Sequence, residues 1–596
     1  MLGLALGYQT FFAPELEPLS KTGSTTESAT DSVLEQHPAI EPLLAASAPL
    51  ATTDNKAPGD TATSASRSAF TAEVLTLQSA ELQVEISTLG GAPSKAMLTD
   101  GYKRFWDQQP IELWAPGTGE MTWTQNGRSS AGLAFDVKVH SDNRLTLTPR
   151  QAGDLQAIHY ELKGYQLSTQ LVYASNVRET NFRWTMDGVH NEKGLEWERQ
   201  HSSTYYREKG RGRSYCSESR EDDAIVEDTP FEWVAFKQNY FSAIVSTPAG
   251  FTSGGVASAP PAEADTTVNM RYAADLLLPT MAAGEGSAAQ LDFYFGPNDL
   301  DHLEATGLGE VGRIIDFGWW IFGWVNRNLI FPLYQFLTGF IGSAGLIVLV
   351  LTLIIKSLLF PITWKNYLSS AKMRVLRPDI DKINEDNEEA MARQQATMKL
   401  YRESGVNPLA GCLPGLLQVP ILYAMFRFFP ANIELRGQGF LWADDLAAYD
   451  SILSLPFTIP MYGDHVSGFT ILMAASTFFY TRLTMGNAPQ PTQPGMPNMK
   501  VMMQIMPLFM LFFFNRFAAG LSLYYLMANL VTISQVLLVK HFFIDEEKIR
   551  AKIDSNKAAP KTKSKFQERL DSMQKEQQQR TKEIKSQRDK SRKNRK

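Results

Sequence analysis

The pattern of hydrophobic and polar positions changes near residue 318. From residue 70 to about residue 300, short runs alternate between apolar and polar residues, with Gly, Pro, Asn and Asp between the runs. Residues 82–86 (LQVEI) and 290–295 (QLDFYF) are examples. Alternation with a period of two is typical of half-buried antiparallel strands. Many such strands in one stretch predict a large β-sandwich or barrel.

After residue 318 the apolar residues gather in long runs. Residues 318–337 mix Trp, Phe and Tyr with Asn and Arg, which favours an amphipathic helix in the lipid headgroup region over a plain linker. Five runs then predict membrane-spanning helices: residues 341–362, 412–429, 469–479, 501–514 and 521–539. Several are shorter than the roughly 20 residues that a bilayer requires, so we expect tilted helices or a locally thinned bilayer.

The first 69 residues follow neither pattern. Residues 1–12 are apolar but too few to span a membrane. We interpret residues 1–18 as part of a signal-anchor helix, which would make six spanning helices, and a short interfacial segment is the alternative. Residues 19–69 are rich in Ser, Thr, Ala, Pro and Asp. They cannot bury enough apolar surface to fold, which predicts a disordered linker.

The basic residues of the short loops predict the orientation. Loop 363–407 carries eight Lys and Arg residues, loop 482–500 has Arg482 and Lys500 with no acidic residue, and the tail 541–596 is strongly basic. Loop 431–466 has one Arg against five acidic residues. Basic loops stay in the cytoplasm, so we expect both termini inside and the β-domain and the acidic loop outside.

Residues with obvious catalytic or metal-binding chemistry are few. The chain has two cysteines, Cys216 and Cys412, and we place them on opposite sides of the membrane, which excludes a disulfide between them and a Cys-based metal site. The β-region has no phosphate loop, nucleophile elbow or Cys/His cluster, and its histidines are scattered. We therefore predict no catalytic residue, no metal, no cofactor and no enzymatic activity.

Lys356 interrupts the apolar run of residues 346–361. A charge inside a span costs about 2.5–3.5 kcal/mol and indicates a function, although a lysine stem that reaches back to the headgroups is the alternative. Thr352 lies four residues earlier on the same helical face. Further polar side chains in the later runs are Gln418, Gln504, Asn529 and Gln535. Converging faces would form a wet, positively charged cavity, and simple interhelical hydrogen bonding is the alternative.

Loop 363–407 has a helical pattern of its own. Met, Leu and Ile recur at helical spacing in residues 365–387 and again in 388–404, with Asp386-Asn387 available for a turn. This predicts an antiparallel helical hairpin that protrudes into the cytoplasm. Its size and its lack of catalytic residues suggest contact with a partner, and a merely solvated helix pair is the alternative.

Several motifs together resemble one family, the YidC-type membrane protein insertases (YidC/OxaA/Alb), in order and spacing over residues 307–541. The motifs include residues 356–363 (KSLLFPIT), 370–374 (SAKMR), 405–409 (GVNPL), 418–421 (QVPI) and 520–525 (GLSLYY). Residues 86–91 (ISTLGG) and 295–299 (FGPND) more weakly resemble the periplasmic β-supersandwich of the Gram-negative members.

The resemblance implies a fold and a site. The fold is a helical bundle of five core spans plus the anchor, with an all-β supersandwich at residues 70–306, an interfacial helix at 307–340 and the insertase core at 341–540. The site is a hydrophilic groove that is open to lipid and cytoplasm, in which a positive residue attracts polar segments of the substrate. That residue corresponds to Lys356, where the family more often has Arg. The other groove residues are Thr352, Gln418, Tyr524, Tyr525 and Asn529.

The resemblance also implies an activity, which is insertion of integral membrane proteins into the bacterial inner membrane, alone or with the Sec translocon. The expected partners are nascent membrane proteins, the Sec translocon and the phospholipid bilayer. The basic tail adds the ribosome, because a flexible cation binds phosphate backbones by counterion release, and attraction to anionic lipids is the alternative. A transporter with a cationic site is the rival class, but we find no internal repeat. A periplasmic sugar-active enzyme is the third reading.

Overall fold

The computed structural model describes residues 72–174, 177, 179–226, 229–262, 264–283, 286–387, 389–406, 413–460, 462–485 and 499–558. The predicted anchor helix at 1–18 and the linker at 19–69 lie outside these residues. The chain divides into two compact units. Unit 1 comprises Met1–Thr352, Pro420–Ala474 and Leu508–Met527, and unit 2 comprises Leu353–Val419, Ala475–Pro507 and Ala528–Lys596.

The β-domain of unit 1 contains three antiparallel sheets. Their strands in chain order are β1 (Val74–Gln78), β2 (Leu82–Ser87), β3 (Pro93–Leu98), β4 (Glu112–Trp114), β5 (Gly119–Gln125), β6 (Arg128–Ser129), β7 (Phe135–Ser141), β8 (Arg144–Pro149), β9 (Leu155–Lys163), β10 (Gln166–Tyr173), β11 (Glu179–Val189), β12 (Ser202–Glu208), β13 (Gly212–Tyr215), β14 (Asp222–Val226), β15 (Phe231–Gln238), β16 (Phe241–Phe251), β17 (Gly254–Ala259), β18 (Val268–Pro279), β19 (Met281–Ala283) and β20 (Gly286–Pro297). The sheets have the orders β1-β2-β3-β4, β13-β12-β15-β16-β20-β10-β9-β8-β7 with β19 beside β20, and β14-β17-β18-β11-β5-β6.

The core of the β-domain lies between the two larger sheets. Alternate residues of β10 are buried, as the period-two pattern predicts. Trp184 on β11 is fully buried, and its ring contacts Phe236 at 4.5 Å, Phe293 at 5.8 Å and Phe295 at 6.1 Å, all on strands of the opposite sheet. Large aromatic side chains dominate the energetics of such cores. The all-β sandwich that the sequence predicts is therefore confirmed.

Helices form most of the rest of the described chain. They are α1 (Leu195–Arg199), α2 (Leu300–Ala305), α3 (Trp320–Val325), α4 (Phe331–Thr338), α5 (Ala344–Val375), α6 (Arg377–Asp386), α7 (Ala390–Ser404), α8 (Leu413–Ala431), α9 (Gly468–Met485), α10 (Met499–Phe514), α11 (Ala519–Phe542) and α12 (Glu546–Ala558). A π-helical turn, Asn326–Ile330, joins α3 to α4. A two-stranded sheet precedes α9, formed by β21 (Leu453–Ile459) and β22 (Gly463–Val466).

Each of the five predicted spans falls in a helix, namely α5, α8, α9, α10 or α11. Two of these, α5 and α11, are long and apolar enough to cross a membrane. The apolar stretches Val419–Ala431 and Ile505–Phe514 are shorter. α5 continues through Pro361 to Val375, so residues 365–375 of the predicted first hairpin helix belong to α5, and α6 covers Arg377–Asp386. A proline removes one backbone hydrogen bond, and the residues around it keep the helix intact here.

A small apolar cluster in unit 2 joins α6, α7 and α12. Ile380 of α6 and Tyr401 of α7 are buried there with Ile549 and Ile553 of α12. The tail predicted at 541–596 is therefore helical in its first part: α11 ends at Phe542, and α12 covers Glu546–Ala558. Two isoleucines four residues apart in a highly charged segment are too weak a pattern to predict this helix. The remaining tail, from residue 559, lies outside the described residues.

Candidate functional site

Lys356 is a buried cation on α5. Its side chain belongs to unit 2 and is 7% exposed. Within the part of the chain that the structure describes, no carboxylate forms a salt bridge with its ammonium group, and no side chain or carbonyl accepts a hydrogen bond from it. A buried charge normally has a partner, because an unpaired one loses its hydration without compensation. Among the described side chains, Lys356 therefore has no ionic or hydrogen-bonding partner that would explain it as a structural residue.

Asn529 is the other predicted groove residue that is described in unit 2. Its Nδ2 donates hydrogen bonds to Ser476 Oγ at 3.0 Å and to Thr477 Oγ1 at 2.8 Å, which links α11 to α9. Both acceptors are buried. Interhelical hydrogen bonding, which the sequence left open as the simpler reading of these polar residues, is thus what the Asn529 amide does. These hydrogen bonds also place polar groups in the interior of this unit.

Thr352 is the last residue of unit 1 on α5 and is fully buried. Its hydroxyl donates to the carbonyl oxygen of Val348 at 2.7 Å, one turn earlier in the same helix. Such a bond satisfies the hydroxyl inside the helix. The hydroxyl proton of Thr352 is therefore already used, although the hydroxyl oxygen can still accept a hydrogen bond on the face of α5 that Thr352 shares with Lys356.

Tyr524 and Tyr525 form an aromatic group in unit 1. Their rings are 5.7 Å apart at 76°. Tyr524 is buried and lies 5.9 Å from the ring of Phe429 on α8, whereas Tyr525 is 5.8 Å from Phe514 on α10. The pair thus connects three helices through ring contacts. The side chain of Gln418, the remaining predicted groove residue, lies outside the described residues, as does that of Gln504.

A buried polar network near the start of α9 was not predicted. Asp450 accepts hydrogen bonds from the backbone N–H of Phe469 at 3.0 Å and from Ser467 Oγ. Ser467 Oγ lies 2.8 Å from the hydroxyl of Thr470, which in turn lies 3.1 Å from the hydroxyl of Ser522 on α11. A serine before an apolar helix is a recognisable N-cap signal. The partners Asp450 and Ser522 have no such local signal, because only tertiary packing brings them together.

A buried ion pair holds the acidic loop against the β-domain. Arg436 Nε is 2.9 Å from both carboxylate oxygens of Glu192, and the two side chains are 7% and 10% exposed. Arg436 also donates to the carbonyl oxygen of Lys103 at 2.8 Å. Nearby, Lys193 Nζ donates to the carbonyl oxygen of Tyr449 at 3.0 Å. The sequence identified Arg436 only as the one basic residue of an acidic loop.

Cys216 and His201 are among the groups of the β-domain whose pKa values lie far from normal. Burial raises the pKa of the Cys216 thiol to about 12, and the nearby Asp222 and Asp223 add to this. Burial, with Lys237 nearby, lowers the pKa of His201 to about 4, so this imidazole is neutral at physiological pH. Within the described residues, no group of three or more His, Cys, Asp or Glu side chains could hold a metal ion.

An all-β domain followed by apolar helices, one of which buries a lysine, is typical of a membrane protein with a large extramembrane domain. The family model of the 60 kDa inner membrane protein matches residues 336–548, and that of the YidC periplasmic domain matches residues 74–331. The chain belongs to the YidC family of membrane protein insertases. Its helical core is thus an inner-membrane core, and its β-domain is periplasmic.

Two relatives of known name lead to the same family. The membrane protein insertase YidC of Parabacteroides distasonis is 37% identical over 455 residues, which cover 74% of this chain and 70% of that protein. The corresponding insertase of Porphyromonas gingivalis strain W83 is 34% identical over 539 residues, or 85% and 84% of the two chains. A solved YidC insertase matches 79% of this chain and 93% of its own at 16% identity, with a TM-score of 0.33. The relatives are named as insertases and not as enzymes.

Proposed function

We propose that this protein inserts integral membrane proteins into the inner membrane and helps them to fold, alone or with the Sec translocon. The proposed path is a hydrophilic groove lined by Lys356 together with Thr352, Gln418, Tyr524, Tyr525 and Asn529. The observation that carries this proposal is the burial of Lys356 with no salt-bridge or hydrogen-bond partner among the described residues. A cation kept unpaired in an apolar helix is costly and needs a function to explain it.

The charge of Lys356 suits a transient substrate better than a permanent neighbour. A nascent membrane protein presents polar, often acidic, segments that must leave the cytoplasm. An acidic segment near Lys356 supplies the missing counter-charge, and the attraction is strong where water is scarce. The ammonium group is a compact point charge without the fixed fork of arginine, which allows it to pair with segments of varied sequence.

Other buried polar groups of unit 2 support a wet interior. Ser476, Thr477 and Thr532 are buried on α9 and α11, near the hydrogen bonds of Asn529. Buried hydroxyl and amide groups make this helix interior more polar than lipid, which lowers the cost of placing a polar segment beside it. A substrate could therefore pass this region with its polar groups partly satisfied.

The proposed topology has both termini in the cytoplasm, five core spans and the N-terminal anchor. α6 and α7 then lie in the cytoplasm, together with α12, where they can meet a partner. The basic residues after 558 would bind ribosomes near the groove, which raises the local concentration of nascent chains. Cosedimentation with ribosomes should weaken steeply with salt, and truncation after residue 558 should reduce it while leaving α12 in place. Unchanged cosedimentation would leave the tail only lipid and topology roles.

A charge series at position 356 tests the proposed function. Lys356→Arg should restore growth of an insertase-depleted strain, Lys356→Met should impair insertion of clients with acidic external segments, and Lys356→Glu should impair it further. Methionine keeps the length of the side chain and removes the charge, so it separates charge from packing. Protein levels in the membrane must stay equal across the series. Full activity of Lys356→Glu with every client would contradict the proposal.

A further inference from the structure

The extracytoplasmic loop between α8 and α9 carries an unusual apolar hairpin. Residues 451–463 contain no charged side chain, although the rest of loop 431–466 is acidic. Along β21, Leu453, Leu455, Phe457 and Ile459 alternate with Ser, Pro and Thr, and the pairing with β22 shifts register between Ser454 and Ile459. Apolar side chains therefore make up much of the surface of this strand. Leu453 is 58% and Phe457 is 60% exposed. Contiguous exposed apolar surface marks a contact site.

The hairpin is fixed to the end of a helix of the membrane core. Asn515, directly after α10, donates from Nδ2 to the carbonyl oxygens of Tyr462 at 3.0 Å and His465 at 2.7 Å. Its Oδ1 accepts a hydrogen bond from the backbone N–H of Ser467 at 2.8 Å. A lone two-stranded sheet is marginal in water, so these bonds hold it in place. The apolar face is therefore a rigid surface and not an arm that can fold away.

This apolar surface is continuous with the surface of α10. The ring of Tyr462 lies 5.5 Å from that of Phe512, near the end of α10. On α10 the exposed side chains beside Phe512 are also large and apolar: Leu508, Phe509 and Phe513. In an inner-membrane protein such side chains face lipid. The apolar face of the hairpin therefore starts where the lipid-facing surface of α10 ends.

The backbone of β21 suits the headgroup region. An unpaired strand edge is not tolerated in hydrocarbon, because its N–H and C=O groups have no partners there. Pro456 and Pro460 remove two N–H donors, while the remaining groups can bond to water or headgroups. Phe457 and the exposed Trp442, which donates to Asp450 at 2.8 Å, are aromatic residues of the kind found at this level.

We propose that the β21–β22 hairpin is a second membrane-contact site, whose apolar face is immersed in the headgroup region of the outer leaflet of the inner membrane. The occupant is the lipid surface, and the contact would anchor the acidic loop, and with it the β-domain, at a fixed height. The proposal depends on membrane placement and not on insertase activity, so a failure of the charge series at position 356 leaves it untouched.

Fluorescent labels on single cysteines in proteoliposomes test it with the full chain. Cys216 and Cys412 are replaced by Ala, and the environment-sensitive dye NBD is attached at Phe457→Cys. Val139→Cys on β7 is the matched control, since Val139 is apolar and 62% exposed but belongs to the β-domain. Asp464→Cys on β22 is the second control. Leu453→Cys provides an independent reading if the first variant folds poorly.

The expected result is blue-shifted emission from position 457, with several-fold stronger quenching by a lipid spin-labelled near its headgroup than by aqueous iodide. Position 139 should show the opposite preference, and position 464 should resemble position 139. Strong iodide quenching at 457 would mean that the face is in water and would overturn the proposal. Blue-shifted emission without quenching by either agent would mean contact with protein, and that result would overturn it as well.

Discussion

Replacing Arg436 by Met should loosen the acidic loop from the β-domain. Methionine preserves the apolar stem but removes the two contacts to Glu192, the hydrogen bond to Lys103 and the charge that lies 5.2 Å from the ring of Phe241. The carboxyl group of Glu192 stays behind in a site where it is only 10% exposed. The substitution therefore leaves a buried acid without its counter-charge.

The structure sets the size of the effect. Breaking a buried ion pair by removing one partner costs about 3–5 kcal/mol. Arg150 and Asp136 form a matched control pair at 2.7 Å, with both side chains about half exposed. An exposed pair contributes about 0–1 kcal/mol, so Arg150→Met should have little effect. At roughly 1.4 kcal/mol per tenfold change, Arg436→Met should raise the local opening of the loop by about two to three and a half orders of magnitude.

Hydrogen exchange of residues 431–460 in lipid nanodiscs measures this opening directly. Arg436→Met should speed exchange in the loop and in the residues around Glu192, while Arg150→Met should leave both unchanged. The double variant Arg436→Met/Glu192→Gln should destabilise the closed loop by less than the sum of the two single variants. In the double variant, no buried carboxylate is left without its counter-charge. Strictly additive effects, or loop exchange equal to that of the wild type, would refute the reasoning.

Three further predictions concern other described residues. In a Cys412→Ala background, Cys216 should resist maleimide at pH 8 until the β-domain unfolds, because burial holds its pKa near 12; rapid labelling of folded protein would contradict this. The pKa of His201 is about 4 in the folded protein and 6.5 in the unfolded chain, so the unfolded chain binds more protons between these pH values. The β-domain should therefore lose stability as the pH falls from 6.5 to 4, by ~3 kcal/mol at most. His201→Gln should flatten that profile, and an unchanged slope would argue against this residue. Ile553→Asp should make α12 sensitive to protease, whereas Lys552→Asp, at the exposed neighbouring position, should not. Equal protease resistance of the two variants would mean that the buried cluster does not hold α12.

Local patterns were enough to predict much of this protein. The alternation of β10 and the apolar runs of α5 and α11 are periodic signals that tertiary structure does not override. Lys356 was identifiable because a charge stands out in an apolar run. Its place in the groove remains a prediction that depends on the family.

Long-range contacts could not be predicted in this way. Glu192 and Arg436 are 244 positions apart, and each is an ordinary charged residue in its own segment. β21 has an alternating pattern, but Pro456 and Pro460 are unfavourable in a strand, so the pattern alone is too weak to predict it. In α12 only Ile549 and Ile553 mark the buried side, and their partners come from α6 and α7.

The central claim is that Lys356 meets the substrate during insertion. A photo-crosslinking amino acid at position 356 should capture a ribosome-arrested membrane protein while its first span is leaving the cytoplasm. The same amino acid at Leu358, which is 63% exposed on α5, is the control and should yield far less of that product. Capture at position 356 that clearly exceeds capture at position 358 is the predicted result. No adduct at 356, or equal adducts at both positions, would contradict the account.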